Sequence, residues 1–382
     1  MLYGDPCVFA VGNEYQVAFN TKEYGVAWVE VDGQAYRDSR NGLMRSETLI
    51  HKVALPMAVL DAARRYRVCF RALPVRRPYF PELGELQTRD YAFRPVDESR
   101  PLRAFMLADT HSRVDAPCRA AEAFGAVDLL LLNGDIPAES KQIEDIRAIY
   151  DITSRLTHGE IPVVFARGNH DCRGRLATEL PEYIGTRQGE TWFTFRMGGL
   201  WGIVLDCGED KRDTDPEYGG LVDCHGMRLR ETEFLKDVLL RADEEFRAAG
   251  VCKRVAICHM PFPTKQVTMN DEKFTIETEL YSEWTQLLND MDLDMMLCGH
   301  MHWLDLVEPG SENMRLSANF PIVIGSAVYE GEIVCREAEH MGSEYAACGI
   351  TWSEDALRVE TVDNLGGHRT LFEKTAETQP NP

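Results

Sequence analysis

Positive charge is scarce in this chain of 382 residues. It has 41 Lys and Arg against 62 Asp and Glu, so its formal net charge is −21. Such an acidic chain is a poor match for nucleic acid or an anionic membrane surface as a standing partner. A phosphorylated substrate is still compatible with this charge, because bound metal ions reverse the local field.

Long apolar runs are also missing. No run approaches the roughly 18 residues of a membrane-spanning helix, so we expect no membrane span. Residues 1–6 do not combine a basic region with an apolar one, so we expect no signal peptide. The 11 cysteines are odd in number and form no disulfide framework. Reduced thiols explain them best, and we therefore expect a cytoplasmic protein.

The length of the chain predicts two domains rather than one. Residues 1–95 contain short runs in which apolar and polar residues alternate, which predicts an all-β domain. Tyr66 follows Leu60 at a spacing similar to the tyrosine corner of immunoglobulin-like sandwiches. Residues 102–372 alternate apolar runs with helical stretches, which predicts an α/β domain. We expect residues 373–382 to form a disordered tail.

Short polar motifs follow the predicted strands of the second domain. The runs at 102–109, 127–135 and 161–166 are apolar almost throughout, as in strands that are covered on both faces. Each motif therefore falls at the carboxyl end of a strand, where open α/β sheets build their sites. In chain order, the motif residues are Asp109, His111, Asp135, Asn169, His170, Asp171, His259, His300 and His302.

The residue types in these motifs are those that bind metal ions. Carboxylate, imidazole and amide oxygen suit a pair of ions such as Mn, Fe or Zn. Two adjacent ions need a bridging carboxylate and a set of terminal ligands. Each motif alone is a weak signal, and turn or capping residues are the alternative interpretation. That alternative would have to hold at every motif together, so the pattern indicates a two-metal hydrolase.

The order D-x-H, GD, GNHD, H and GHxH resembles the signature of the calcineurin-like metallophosphoesterases. The resemblance covers about residues 102–330 and implies two divalent metal ions with one shared ligand. The implied ligands are Asp109, His111 and His302 for the first ion, Asn169, His259 and His300 for the second, and Asp135 as the bridge between them.

The same resemblance implies catalytic roles for neighbouring residues. His170 would be the acid near the leaving-group oxygen, and Asp171 would orient its imidazole. Arg167 directly precedes Gly168 and Asn169, as in the protein phosphatase branch of the family. We therefore expect Arg167 to contact phosphate, with a plain surface arginine as the alternative.

The implied fold is an αββα-sandwich metallophosphoesterase domain behind a fibronectin-III-like, immunoglobulin-type β-sandwich. A sandwich in this position is similar to that of purple acid phosphatases. The chain departs from that branch at two positions: His111 replaces a glycine, and Ala138 replaces a metal-bound tyrosine. It is more similar to bacterial-type metallophosphoesterases with a fibronectin-III-like N-terminal domain, and we expect divalent ions in its site.

The implied activity is that of a phosphomonoesterase. A small phosphorylated substrate would be hydrolysed by in-line attack of a hydroxide that the two ions hold. A phosphodiesterase, including a cyclic nucleotide phosphodiesterase, is the alternative among enzymes, and the acidic charge disfavours a nuclease. A non-catalytic protein that merely holds metal is a further alternative. The pair His170 and Asp171 disfavours it, because a structural metal site does not need them.

Overall fold

The computed structural model describes most of the chain. The described residues are 1–265, 275–329, 335, 338–353 and 355–375. All eleven cysteines lie among them and are free thiols, in agreement with a sequence whose cysteines form no disulfide framework. No helix within these ranges is both long and apolar enough to cross a membrane.

The N-terminal region is a sandwich of two sheets, in agreement with the all-β prediction. Its elements are β1 (Cys7–Val11), β2 (Glu14–Asn20), β3 (Gly25–Val31), β4 (Gln34–Arg37), β5 (Ser39–Arg40), β6 (Leu43–Met44), β7 (Ile50–Pro56), α1 (Met57–Ala63), β8 (Arg65–Ala72) and β9 (Gln87–Ala92). One sheet runs β1–β2–β7 and the other runs β4–β3–β8–β9. Strand β3 alternates buried and half-buried residues, which turns Ala27 and Val29 into the shared core.

The rest of the chain alternates strands and helices, as the sequence predicts. Its elements are β10 (Leu102–Leu107), α2 (Asp115–Phe124), β11 (Leu129–Asn133), α3 (Ile143–Thr157), β12 (Pro162–Ala166), β13 (Phe193–Met197), β14 (Leu200–Leu205), α4 (Cys224–Leu240), β15 (Lys253–Cys258), α5 (Thr278–Asn289), β16 (Met295–Cys298), β17 (Leu304–Val307), β18 (Ile322–Val328), β19 (Tyr345–Trp352), β20 (Ala356–Asp363) and β21 (His368–Thr375). Strands β11 and β12 are buried at every position, which explains their continuous apolar sequence.

Two groups of parallel strands form the facing layers of this region. One group runs β1–β12–β11–β10 and the other runs β14–β15–β16–β18. Strand β18 joins the two groups. It pairs with β16 in one group and also with the antiparallel strand β19, which pairs with β10 of the other group. Between the layers lies a core that includes Leu132, Val164 and Ile257. Helices α2 and α3 pack outside one layer and α4 and α5 outside the other, which confirms the αββα prediction.

The sandwich and the α/β region share a sheet. Strand β1 pairs in parallel with β12, where Val8 faces Pro162 and Phe9 faces Val163. The Tyr66 hydroxyl donates to the Gly159 carbonyl at 2.8 Å, just before β12. A tyrosine corner would instead bond within its own sandwich, so that interpretation of Tyr66 is corrected. The domain boundary at residue 95 stays a prediction, and hydrogen bonds cross it.

The C-terminal prediction needs one correction. Residues 373–375 were expected in a disordered tail, but they are the last residues of strand β21. They pair with β20, where Glu373 faces Arg358 and Thr375 faces Ala356. The remainder of the predicted tail, residues 376–382, lies outside the described residues.

Candidate metal centre

The motif residues meet at the carboxyl ends of β10, β11, β12, β15 and β16. Backbone hydrogen bonds join the loops that follow these strands. The Asp109 N–H donates to the Gly134 carbonyl at 3.0 Å, and the His111 N–H donates to the Asp135 carbonyl at 3.0 Å. The Gly299 N–H donates to the His259 carbonyl at 2.8 Å. Backbone hydrogen bonds thus join the first motif to the second, and His259 to the last motif.

One cluster contains Asp109, His111 and His302. Their possible ligand atoms all lie within 4.8 Å of one another. The two imidazole Nε2 atoms of His111 and His302 are 3.1 Å apart, and the His302 Nε2 is 3.4 Å from the Asp109 Oδ1. This is the set of side chains expected for the first ion.

A second cluster contains Asp135, His259 and His300, again with possible ligand atoms within 4.8 Å of one another. The His259 Nε2 is 3.2 Å from the Asp135 Oδ2, and the Asn169 Oδ1 is 3.0 Å from the His300 Nδ1. Asp135 also belongs to a third group, with His111 and His170. It therefore lies between the two clusters, the position expected of a shared ligand.

The candidate ligand atoms are better satisfied by metal ions than by hydrogen bonds to one another. The His259 Nε2 is buried and makes no hydrogen bond of acceptable geometry, despite its short distance to Asp135. A buried polar atom without a partner is costly unless something else satisfies it. The facing Nε2 atoms of His111 and His302 likewise converge on one space. One cation between His111 and His302 and another beside His259 would satisfy these nitrogens.

The electrostatics of the site point the same way. Burial lowers the pKa of His111 and of His300 to about 4, so both rings are neutral near pH 7, as metal ligation requires. Burial also lowers the pKa of His259, but the carboxylates of Asp135 and Asp109 outweigh it and raise the pKa to about 10. Two buried carboxylates thus demand positive charge at the point where the nitrogen ligands meet.

Left-handed backbone is concentrated in the motifs. The φ angles are 53° at Asp109, 46° at His111, 54° at Asp135, 70° at His300 and 56° at His302. Residues with a Cβ rarely adopt this conformation, which costs of order 1–3 kcal/mol each. Strain of this kind clusters at functional sites, where the surrounding structure enforces it. Its concentration here supports a functional role for these strand ends.

A layer of hydrogen bonds orients the candidate ligands. The Ser326 hydroxyl donates to the Asp109 Oδ2 at 3.0 Å, and the His300 N–H donates to the same oxygen at 2.9 Å. The His259 Nδ1 donates to the Asn133 carbonyl at 2.7 Å, which turns its Nε2 toward the carboxylates. No sequence motif marks Ser326. Its one signal in the sequence is a hydroxyl in an otherwise apolar strand, β18.

His170 borders the site, but Asp171 does not orient it. The His170 Nδ1 donates to the Ala138 carbonyl at 2.9 Å. The Asp171 Oδ2 instead accepts from the backbone N–H groups of Gly168 at 2.7 Å and Asp135 at 3.0 Å. Burial and the Asp135 charge raise the pKa of Asp171 to about 8. The predicted role of Asp171 is therefore corrected: it braces two metal-site loops.

Arg167 does not reach the site. Its Nε lies 2.6 Å from the Asp206 Oδ2, its Nη2 contacts the Met227 sulfur, and its side chain is largely buried. Arg167 thus pairs with a buried carboxylate and is not among the residues that line the cavity over the clusters, which disfavours both the expected phosphate contact and the surface alternative. The reason is the fully buried Asp206 carboxylate, which requires a cationic partner inside the protein.

A cavity of about 330 Å³ opens over the two clusters. Its wall includes Arg173, Lys211 and Trp303 beside the candidate ligands. The Arg173 guanidinium makes a two-pronged ion pair with Glu209, at 2.9 and 2.8 Å, and this hydrogen bonding raises the pKa of Arg173. Arg173 has no recognisable signal in the sequence, because its partner Glu209 comes from a separate loop.

The fold is an αββα sandwich, and its strand ends carry two carboxylate–imidazole clusters. This combination is typical of metal-dependent hydrolases. The family model described as calcineurin-like phosphoesterase matches residues 102–304. The chain therefore belongs to the calcineurin-like phosphoesterase family, and all the candidate ligands lie within the matched residues.

Known proteins show similarity in sequence and in structure. The chain is 24% identical over 172 residues to the bovine (Bos taurus) serine/threonine-protein phosphatase CPPED1, covering 44% of this chain and 48% of that protein. It thus spans about half the length of that curated relative. Purple acid phosphatase PPD1 from yellow lupin has a TM-score of 0.60 at 12% identity, over 98% of this chain and 73% of that one. PhoD has a TM-score of 0.56 at 12% identity, over 98% and 92%. These structures share the fold.

Proposed function

We propose that this chain is a phosphomonoesterase that uses two divalent metal ions. The observation that carries the proposal is the pair of side-chain clusters joined at Asp135, with the buried His259 Nε2 left without a hydrogen bond. Membership of the calcineurin-like phosphoesterase family supports it. The relative CPPED1 is named as a phosphatase, which agrees with a phosphate ester as the substrate. The free thiols agree with a cytoplasmic location.

The proposed ligands divide between the two ions as the clusters do. Asp109, His111 and His302 would hold one ion, and Asn169, His259 and His300 the other, with Asp135 shared. When bound, such ions lower the pKa of a water and hold phosphoryl oxygens. The protein's part is to keep His111 and His300 neutral, to fix the carboxylates and to shape the cavity above them.

His170 is the proposed acid. The hydrogen bond from its Nδ1 to the Ala138 carbonyl fixes the ring, so that the Nε2 faces the cavity wall beside Arg173. In this structure the Nε2 accepts from the Arg173 Nη1 at 3.1 Å. When the guanidinium turns its hydrogens to a bound phosphoryl group, a proton taken up at Nε2 can pass to a leaving oxygen in the cavity. General acid catalysis of this type contributes about 10²- to 10⁴-fold to the rate.

A phosphodiesterase is the second candidate, and Trp303 is the observation that favours it. This half-buried side chain lines the cavity beside the candidate ligands. A flat aromatic face in that position suits stacking against a nucleobase. Turnover of p-nitrophenyl phosphate compared with its bis ester, both with added Mn²⁺, separates the two activities.

The acid assignment gives the test of the proposed function. Full-length protein reloaded with Mn²⁺ after chelation should hydrolyse p-nitrophenyl phosphate and phenyl phosphate, whereas the chelated protein should not. His170→Ala should keep its metal and lose about 10²- to 10⁴-fold in kcat on phenyl phosphate, whose leaving group is poor. His158→Ala is the matched control, because His158 is 68% exposed and remote from the motifs.

Two results would contradict this account. Full turnover by chelated, metal-free protein would remove the ions from the mechanism. Wild-type turnover of phenyl phosphate by His170→Ala would remove the acid role from His170 while leaving the metal centre in place.

A further inference from the structure

Two cationic side chains border the cavity beside the candidate ligands. The Lys211 ammonium lies 2.8 Å from the Asp210 Oδ1 and 3.4 Å from the Glu217 Oε2. Two carboxylates therefore already share its charge. Arg173 has one close carboxylate, that of Glu209, while Asp210 is 3.8 Å away. Of the two cations, Arg173 is the better placed to meet an anion in the cavity.

Glu209 fixes the orientation of Arg173. Its carboxylate accepts from the Arg173 Nε at 2.9 Å and from Nη2 at 2.8 Å. The Glu209 side chain is 1% exposed, whereas that of Arg173 is 27% exposed, so the guanidinium is anchored on its buried side. The remaining nitrogen, Nη1, lies 3.1 Å from the His170 Nε2. A guanidinium has five N–H donors. One of the two on Nη1 donates to the His170 Nε2, which leaves the second hydrogen of Nη1 and the second hydrogen of Nη2 for an anion.

We propose that Arg173 binds the phosphoryl group of the substrate, next to the metal ions, and thereby favours doubly charged phosphate monoesters over singly charged diesters. This inference rests on the proposed function, because it concerns the same cavity. It assigns to Arg173 the contact that the sequence analysis expected of Arg167.

The chemistry of arginine suits this contact. Its planar fork binds phosphate oxygens with two parallel hydrogen bonds, and such charge-assisted bonds are stronger than neutral ones. Glu209 occupies Nε and one hydrogen of Nη2, so the hydrogens left for an anion are on Nη1 and on the other side of Nη2. Because Glu209 holds the guanidinium in place, less side-chain freedom is lost when an anion binds. A monoester carries about −1.5 to −2 charge at neutral pH, so a fixed cation attracts it more strongly than it attracts a singly charged diester.

The test uses inorganic phosphate as a probe, so that it does not depend on turnover. Phosphate is titrated by calorimetry into full-length, Mn²⁺-loaded protein, and the metal content is measured in parallel. Arg173→Met should weaken phosphate binding by about 10- to 100-fold with no loss of metal, the usual effect of removing a charged hydrogen-bond partner. Arg173→Lys keeps the positive charge but lacks the planar guanidinium. Its phosphate affinity should lie between those of the wild type and Arg173→Met. Arg175→Met is the control, because Arg175 is exposed on the same loop.

Substrate preference provides the second readout. The ratio of kcat/KM for p-nitrophenyl phosphate to that for its bis ester should fall in Arg173→Met and stay unchanged in Arg175→Met. Glu209→Gln should lower phosphate affinity less than Arg173→Met does, because the guanidinium remains but is held less firmly.

The outcomes separate this inference from the proposed function. Wild-type phosphate affinity in Arg173→Met overturns the inference, and so does a loss of affinity that merely follows a loss of metal. A wild-type protein that binds no phosphate overturns it as well. If the wild-type protein binds phosphate through Arg173 yet hydrolyses no ester, the binding role stands and the proposed function fails.

Discussion

Asp109 shows how a candidate ligand depends on a side chain that lies behind it. The Ser326 hydroxyl donates to its Oδ2, and the His300 N–H donates to both oxygens, at 2.9 Å to Oδ2 and 3.1 Å to Oδ1, while Oδ1 lies 3.4 Å from the His302 Nε2. Ser326 is fully buried, and the Tyr345 hydroxyl donates nearby to the Ala108 carbonyl at 2.7 Å. The carboxylate is therefore oriented before metal binds, which is the usual task of residues around a metal site.

Removing the Ser326 hydroxyl should weaken metal binding without unfolding the protein. We expect Ser326→Ala to lower Mn²⁺ affinity by about 10- to 100-fold, the typical effect of losing an outer hydrogen bond to a ligand. Calorimetric titration of chelated protein with Mn²⁺ measures this, with Ser99→Ala at an exposed position as the control. Equal affinities in Ser326→Ala and wild type would show that this hydrogen bond does not orient Asp109.

Which residues could be predicted depends on how local their signal is. Asp109 and Asp135 were found because a motif at the end of an apolar run is visible within a few neighbouring residues. Arg173 pairs with Glu209 across 36 positions and Ser326 bonds to Asp109 across 217, so no local pattern reveals either contact. The position of Arg167 could not be predicted for the same reason. Its long side chain pairs with Asp206, a buried carboxylate that is distant in sequence.

At the scale of elements, the strands could be predicted from the sequence, but the backbone conformation of the residues that follow them could not. Strands β10, β11 and β12 are covered on both faces, so their sequences are apolar and easily recognised. The residues that follow them adopt left-handed backbone at Asp109 and Asp135, where the sequence has no glycine to signal it. Tertiary hydrogen bonds, such as that from the Asp109 N–H to the Gly134 carbonyl, enforce those conformations.

Strand β7 is tied to the loop before β13 by Lys52. Its ammonium donates to the carbonyls of Pro181 at 2.7 Å and Ile184 at 2.6 Å. Burial lowers the pKa of Lys52 to about 8, below its usual 10.5. Between these two values the unfolded chain binds more protons than the folded one. The contribution of Lys52 to the free energy of unfolding should therefore rise with pH from about 8 to about 10.5.

A pair of variants isolates this pH dependence. The free energy of unfolding of wild type, relative to Lys52→Met, should increase by about 1–3 kcal/mol between pH 7.5 and pH 10. Urea unfolding at several pH values measures it. Lys22→Met removes an exposed lysine instead and should show no such trend. A difference between wild type and Lys52→Met that stays constant with pH would contradict the lowered pKa.

At the scale of the whole molecule, the sandwich is part of the sheet that carries the site. Strand β1 is the neighbour of β12, and β12 leads directly into Asn169 and His170. The Tyr66 hydroxyl reinforces this junction at Gly159, across 93 positions. Composition and periodicity could reveal two regions of different type, but not that they pair strand to strand. Parallel pairing of β1 with β12 depends on residues distant in sequence, and no turn signal marks it.

Metal stoichiometry tests the shared site at Asp135 most directly. Full-length protein should be loaded with Mn²⁺, freed of excess ion and analysed for metal per chain, alongside Asp135→Asn and the exposed control Asp243→Asn. We expect about two ions per chain in wild type and in the control, and a loss of both in Asp135→Asn, because a bridging carboxylate serves both ions. Wild-type protein that retains no metal, or Asp135→Asn protein that retains two ions, would contradict a two-metal centre built around Asp135.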